Sequence, residues 1–321
     1  MANLVTKGIA KAGAVIAGTV GINSGSGGPL SGTSGTGAKS HSFGPGSLYV
    51  NSANGVVYIN EHTQASPYWT PVSYDQAGLR AWDTGFEDHV AKALSGSDAT
   101  AVLASGVRIH GQGLAENDSG GVVAGVAERG AVCTLTTTNE AAHTIALGVG
   151  DTTLPFQPDN NGPLVIDCTF THSSAITLRA TFCGFIGAAA NALDPVVTGG
   201  TTTLTLVLDD VAGMFQDVGL TDGDGIFLPH NKSNAAASIA TSATGVDTST
   251  TMAAAGTYTR WRVEISAAGV MTAFVNKVQK GSISAALDVD EELAPSFHIE
   301  STNAATKSVL VDRFSTWGTR A

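Results

Sequence analysis

Tyr258-Thr-Arg-Trp-Arg-Val-Glu-Ile-Ser266, the turn Ala267-Ala-Gly269 and the run Val270-Met-Thr-Ala-Phe-Val-Asn276 together decide the fold class. Trp261, Val263 and Ile265 alternate with Arg260, Arg262 and Glu264. Successive side chains of a strand point to opposite faces, so this spacing predicts apolar residues turned inward and charged ones turned to water. A glycine turn between two such runs reads as a β-hairpin.

The same period recurs on both sides of the hairpin. Leu164, Ile166, Cys168 and Phe170 share one face of a strand, and Ile176, Leu178, Ala180 and Phe182 share one face of the next. Leu204, Leu206 and Leu208 alternate within 202–208, and a last strand is expected from about Ser308 to Trp317. Gly, Asn, Asp and Ser clusters separate these segments. The pattern predicts a mainly β chain whose residues 101–321 form an antiparallel β-sandwich with one face of each sheet buried.

Upstream the composition shifts. Residues 1–46 hold 12 of the 39 glycines, including Asn23-Ser-Gly-Ser-Gly-Gly-Pro-Leu-Ser-Gly-Thr-Ser-Gly-Thr-Gly37, and read as an extended arm. Such a segment becomes ordered only where another surface supplies contacts, so docking on a partner is expected. Residues 47–100 read as a small β module plus one short helix. Leu48-Tyr-Val50 and Val56-Val-Tyr-Ile59 flank Asn54-Gly55 as a hairpin, and Tyr68 to Val72 is a third extended piece. Thr84 as cap, Glu87 three residues on, and the apolar face of Phe86, Val90, Ala93 and Leu94 predict the helix.

Of the 321 residues 43% are apolar and only 13% charged, against about 25% charged in an average soluble chain. Ser, Thr, Asn and Gly must therefore cover the surface, and a disordered acidic polymer is excluded. No run of 18 apolar residues is present, so no membrane helix is expected. Three lysines, Lys7, Lys11 and Lys39, precede the first acid, Glu61, and the remainder carries 13 basic and 27 acidic residues. A slightly basic arm on an acidic body fits an acidic partner for the arm but is far too sparse for a nucleic-acid footprint. Cys133, Cys168 and Cys183 are odd in number and lack metal or disulfide spacing, so free thiols are expected.

The sharper chemical motifs each fall short. Gly32-Thr-Ser-Gly-Thr-Gly-Ala-Lys39 places Ala38 where a phosphate loop needs Lys and has no preceding strand. Asp222-Gly-Asp-Gly225 begins like a calcium loop, but Ile226 and Ser233 stand at oxygen positions. Asp209-Asp210 would point to opposite faces of a strand, and Asp288 to Glu292 reads as a solvated loop, so no glycosidase pair is indicated. No enzyme activity, cofactor or metal is expected. Trp261 is expected to face the core, whereas Tyr68 and Trp69, between Pro67 and Pro71, are expected at a contact between subunits.

Gly213-Met-Phe-Gln-Asp-Val-Gly-Leu-Thr-Asp-Gly-Asp-Gly-Ile-Phe227 followed by the Trp261 hairpin resembles the concanavalin A-like jelly roll of laminin-G-like modules and of tailed-phage virion proteins, with Lys277 standing where a glycine is usual. Ser47 to Asn51, Gly55 to Asn60 and Pro67 to Val72 resemble a short module of phage capsid-associated and tail-associated proteins. Together the parts resemble a phage head decoration, or cement, protein. That resemblance implies a homotrimer on the outer capsid surface, gripping the major capsid protein through its N-terminal region while the jelly roll projects. The contact residues expected on that basis are Lys7, Ile9, Lys11, Val15, Ile16, Leu30, Tyr49, Tyr58, Tyr68 and Trp69. The alternative is a tail or fibre module whose loops from Asp222 to Asn231 hold a host-surface glycan; that function needs an exposed aromatic platform.

Overall fold

The computed structural model describes residues 14–15, 21–32, 44–74, 76–86, 100–103, 105–111, 120–126, 130–137, 143–150, 154–173, 179–188, 196–232, 238–301 and 307–319. Two large antiparallel sheets face each other. Across the first, the order is Val278–Ile283, Met271–Val275, Thr259–Ile265, Leu164–His172, Ser308–Thr319, Gly130–Thr136 and Gly120–Val126, with Leu79–Thr84 also paired to Ser308–Thr319. Across the second it is Asp247–Thr251, Gly225–Phe227, Val211–Asp217, Arg179–Ile186, Ala294–Ser301, His143–Gly148, Arg108–Gly111 and Thr100–Val102. This is the expected antiparallel jelly-roll sandwich.

Aromatic contacts tie the two sheets across the core. Phe170 meets Trp261 of its own sheet at 5.2 Å and Phe297 of the facing sheet at 4.8 Å between ring centroids. Cys168 and Cys183 sit on opposite sheets, and burial, then the neighbouring Cys183 thiol, pushes the Cys168 thiol well above its ordinary value. All three cysteines are free and buried. The hairpin closes at Asn276 and Lys277, with φ of 50° and 70°, between the paired Val275 and Val278. A two-residue turn with both residues left-handed suits the strand twist, so Lys277 occupies the glycine position in glycine's own conformation.

The expectation of one buried face per sheet is overturned for the central strands. Every residue of Val211–Asp217 and Ala294–Ser301 is buried, and in Leu164–His172 only Thr169 is half-buried. The reason is two further layers. A small sheet of Val197–Gly199, Thr203–Leu206 and Ser238–Ala240 covers the outside of the second large sheet. There Leu204, Leu206 and Leu220 pack with Phe182, Phe215 and Phe227 in a second core. Ala180 and Phe182 therefore face this outer core while Cys183 and Phe185 face the main one, the reverse of the reading from period alone. Ile176 and Leu178 lie outside the described residues.

The other added layer is N-terminal. Ala14–Val15, Gly21–Gly25, Leu48–Asn51, Val57–Asn60 and Trp69–Pro71 form a five-stranded sheet against the outside of the first large sheet. The hairpin expected around Asn54-Gly55 is present, pairing Leu48 with Ile59 and Val50 with Val57. The described part of the glycine-rich arm docks on its own chain. Ser31 N–H donates to Glu264 at 2.9 Å, Ser31 Oγ accepts from Trp69 N–H at 3.0 Å, and Tyr49 O–H donates to Gly27 C=O at 2.9 Å. Gly32 has φ +106°, and a Cβ there would strike Gln279 and approach Phe274, so only glycine lets the arm lie this close.

The expected helix does not start at Thr84. Thr84 ends the strand Leu79–Thr84, and Phe86 has φ +61°, which a right-handed helix excludes. The Thr84 hydroxyl accepts from Phe86 N–H, but in a turn; residues 87–99 lie outside the described residues. The α-helix that is described is the single turn Pro158–Asn161, which begins on proline.

The charged face of Thr259–Ile265, expected in water, is buried under the N-terminal sheet. Asp167 sits opposite Arg262 in the ladder, accepts from Arg260 Nε and Nη2 at 2.7 Å each, and accepts from Tyr68 O–H at 2.9 Å. Arg262, 1% exposed, lies over the Tyr68 ring at 4.2 Å and the Trp317 ring at 4.9 Å, and pairs with Glu264. Glu61 completes the set, holding Arg260 at 3.1 Å and Lys277 at 3.0 Å. Burial alone would raise the Asp167 carboxyl, yet Arg260 and Arg262 hold it below the ordinary value. Three cations and three anions thus close the seam without net charge. Arg262→Ala strands Glu264 and part of Asp167's partner set, and should cost about 3–5 kcal/mol in denaturant unfolding. Arg262→Met with Glu264→Met should recover most of that loss.

Candidate functional site

Four of the ten residues expected at a capsid or subunit contact are enclosed within the chain. Tyr49, Tyr58, Tyr68 and Trp69 are 3%, 2%, 0% and 1% exposed, so their rings serve the seam rather than an outside surface. Tyr68 packs edge-on to Phe274 as well as on Arg262. Leu30 is half-buried and Val15 falls in the strand Ala14–Val15. Lys7, Ile9, Lys11 and Ile16 lie outside the described residues. In the loop from Asp222 to Asn231, burial and the neighbouring Asp224 carboxyl raise the Asp222 pKa. Among the described residues no three His, Cys, Asp or Glu side chains are placed to hold a metal ion.

An aromatic, polar groove lies elsewhere, along the free edge of Leu79–Thr84. This strand pairs with the chain's last strand, placing Asp83 opposite Ser315 and Trp82 opposite Thr316. Side-chain alternation then puts Asp83, Ser315 and Arg313 on one face and turns Trp82 to the other. Arg313 Nε and Nη2 donate to the two Asp83 oxygens at 2.9 and 3.1 Å, and Ser315 Oγ donates to Asp83 Oδ1. The pair is partly open, with side-chain exposures of 47% for Arg313 and 28% for Asp83. The turn after Trp69–Pro71 brings in Ser73 and Tyr74, whose ring stands edge-on to Trp317 at 5.4 Å with the Arg313 guanidinium 5.6 Å away. Burial raises the Tyr74 phenol strongly, so it stays protonated.

Ser73, Tyr74, Ala81, Trp82, Asp83 and Ser105 line a groove of about 440 Å³. Trp82 is half-buried, braced edge-on by Phe156 at 5.7 Å. The other wall is the Leu103–Val107 turn, where Gly106 has φ +82° and a Cβ would press on the indole at 3.3 Å. The volume and the mix of two rings with a few fixed polar groups match a small-ligand site. A larger groove, about 610 Å³, runs past Gly27, Gly28, Asn51, Asn54, Gly78 and Asn160 and has no aromatic lining. Its amides are occupied by the fold itself: Asn54 Nδ2 donates to Gly78 C=O and Asn51 Oδ1 accepts from Ala53 N–H.

Sequence reading passed over Tyr74, Asp83 and Arg313. Asp83 and Arg313 are 230 positions apart, and no local spacing signals their pairing.

A third polar group sits on the outside of the second large sheet. Glu300 and Asp217 flank Ala180 across adjacent strands, and His298 stacks on Phe182 at 4.9 Å. Burial, then the Asp217 charge, pushes the Glu300 carboxyl up to about 7, and burial lowers His298 to about 3. All three are under the outer layers, with Glu300 7% exposed, so they titrate inside the fold.

No protein-family model matches the chain, and no curated protein matches it significantly. Similar solved structures include peanut lectin with a nine-residue peptide, at 10% identity over 76% of this chain and 98% of that one, with a TM-score of 0.44. The carbohydrate recognition domain of Emp47p is 10% identical over 78% of this chain and 100% of that one, TM-score 0.43. A carbohydrate esterase from the Shiga toxin-encoding bacteriophage phi24B is 12% identical over 72% and 100%, TM-score 0.39. The assignment of the groove rests on this chain's own residues.

Glu300 gives the layer outside the second large sheet a pH signature. Its folded-state pKa lies above the ordinary 4.5, so the folded chain holds that proton more tightly than the unfolded one. Its contribution is intact below 4.5 and is lost as pH rises toward about 7. Denaturant titrations across that window should show stability falling by up to roughly 3 kcal/mol. The fall should be absent in Glu300→Gln.

Proposed function

We propose that this chain is a non-enzymatic saccharide-binding module, with the Tyr74–Trp82–Asp83–Arg313 groove as its binding site. The observation that carries the reading is the conjunction, in one groove, of the aromatic residues Tyr74 and Trp82 with Asp83, whose partly open ion-pair partner is Arg313. Sugar rings present apolar C–H faces and a rim of hydroxyls, and such a groove offers a partner to each. Its half-buried aromatic residues would serve as the platform that glycan recognition requires, in a different place from the Asp222 to Asn231 loops. Chemistry on the sugar is not part of the proposal, because the raised carboxyl, Glu300, is covered.

Trp82→Ala should weaken saccharide binding by roughly tenfold to a hundredfold while leaving the far-ultraviolet circular dichroism unchanged. Titration calorimetry against a panel of oligosaccharides measures it. Unaltered affinity in that variant would remove the groove from consideration.

Capsid decoration is a second reading. What supports it is the open edge at Ala14–Val15, where a partner strand could extend the N-terminal sheet and where the preceding residues carry Lys7 and Lys11. In this reading the outer surface of a phage head is the location, the major capsid protein is the partner and the assembly is a homotrimer. Removing residues 1–13 should abolish co-sedimentation with heads that lack the protein, and retained binding would end the reading.

A further inference from the structure

The hydrogen-bonding capacity left open in the groove identifies a class of sugar. An ionised carboxylate oxygen has about two acceptor positions. Asp83 Oδ1 has both filled, by Arg313 Nε and Ser315 Oγ, whereas Oδ2 accepts only from Arg313 Nη2. On the guanidinium, Nε and one proton of Nη2 are engaged, and Nη1 donates to no described residue. The open edge of the pair therefore presents one acceptor, Asp83 Oδ2, beside the remaining Nη donors. Both belong to groups held in place by the ladder between Leu79–Thr84 and Ser308–Thr319.

We infer that the groove takes a neutral sugar through two adjacent hydroxyls, one donating to Asp83 Oδ2 and its neighbour accepting from Arg313 Nη, with the ring lying in the groove that Tyr74 and Trp82 line. This rests on the saccharide reading of the groove. A hydroxyl both donates and accepts, so two neighbouring ones match a side-by-side acceptor and donor that a single-function ligand cannot. Hydrogen bonds to charged groups are the strong ones, and here both partners are ionised.

Charge decides against acidic sugars. Asp83 and Arg313 cancel, so a carboxylate or sulfate finds no uncompensated cation and lies close to the Asp83 oxygens. It also approaches a chain of formal net charge -11. The Tyr74 hydroxyl does not compensate, since burial keeps it protonated and without charge. Recognition of a neutral ligand by a neutral pair exchanges no net charge with the medium, so salt should leave the affinity nearly untouched.

The test uses the full chain in titration calorimetry with three sets of oligosaccharides of equal length: neutral hexoses, hexuronates and sulfated hexoses. A fourth set carries neutral hexoses with one hydroxyl of the adjacent pair replaced by hydrogen. The expected result is binding of the neutral set only, changing less than about twofold between about 0.05 and about 0.5 M salt. Loss of one hydroxyl, or Asp83→Asn, should each weaken it by roughly tenfold or more. The deoxy ligands report on the same contact without altering the protein. Preferential binding of hexuronate or sulfated sugar, weakened by salt and by Trp82→Ala, would overturn the inference and leave the groove as a saccharide site. Equal affinity for the deoxy set would overturn it too. Binding of none of the sets, or binding indifferent to Trp82→Ala, would bring down the saccharide reading itself.

Discussion

The burial of Arg262 is the constraint on which the remaining architecture depends. A guanidinium 1% exposed inside a protein is costly unless its charge is matched and its protons find acceptors. Glu264 and Asp167 match its charge, Glu264 and the Trp69 carbonyl engage Nη2, and Tyr68 and Trp317 stack on its faces, while Nε and Nη1 find no acceptor among the described residues. Two of these partners, Tyr68 and Trp69, belong to the N-terminal segment. The first large sheet therefore cannot satisfy its own charged face, and the N-terminal sheet cannot bury its own rings. Each layer completes the other, which ties the described residues 21–32 and 44–74 to the sandwich more firmly than a decorative arm would be.

That dependence also explains how the groove arises. Trp317 lies beneath Arg262, and the strand carrying it continues through Ser315 and Arg313. Leu79–Thr84 is pinned along the same strand, so the seam and the groove share one rigid element. Tyr74 is positioned by Trp317 on one side and reaches the guanidinium of Arg313 on the other. The groove's polar pair is thus set by a twelve-residue strand in the middle of a sheet rather than by a loop. Sites built on such elements hold their geometry without ligand.

Much of the sandwich was legible in the sequence because period-two alternation is a local signal. Thr259–Ile265 with Met271–Val275, and the closing strand Ser308–Thr319, stand where the alternation puts them. What local pattern could not convey was the number of layers. A charged residue at an alternate position reads as solvent-facing, and Arg262 and Glu264 become interior only through Ser31, Trp69 and Asp167, up to 233 positions away. The same limit misplaced Tyr68 and Trp69. Flanking prolines made that stretch look irregular and exposed, whereas Trp69–Pro71 is an edge strand whose rings are drawn inward by the cations beneath.

The groove was illegible for a further reason, which bears on where function can sit in such a fold. The chain is only 13% charged, so an Asp–Arg pair on a partly open edge is a concentrated feature on a surface otherwise covered by hydroxyls and amides. Most of the other strong ion pairs close a seam, whereas Asp83–Arg313 also binds Ser315 but keeps donors and an acceptor toward solvent. Folding needs no such openness, since the Leu79–Thr84 ladder is already bonded along its length. A preorganised pair with unfilled positions beside two braced rings is what a ligand site requires and what a purely structural contact would have closed.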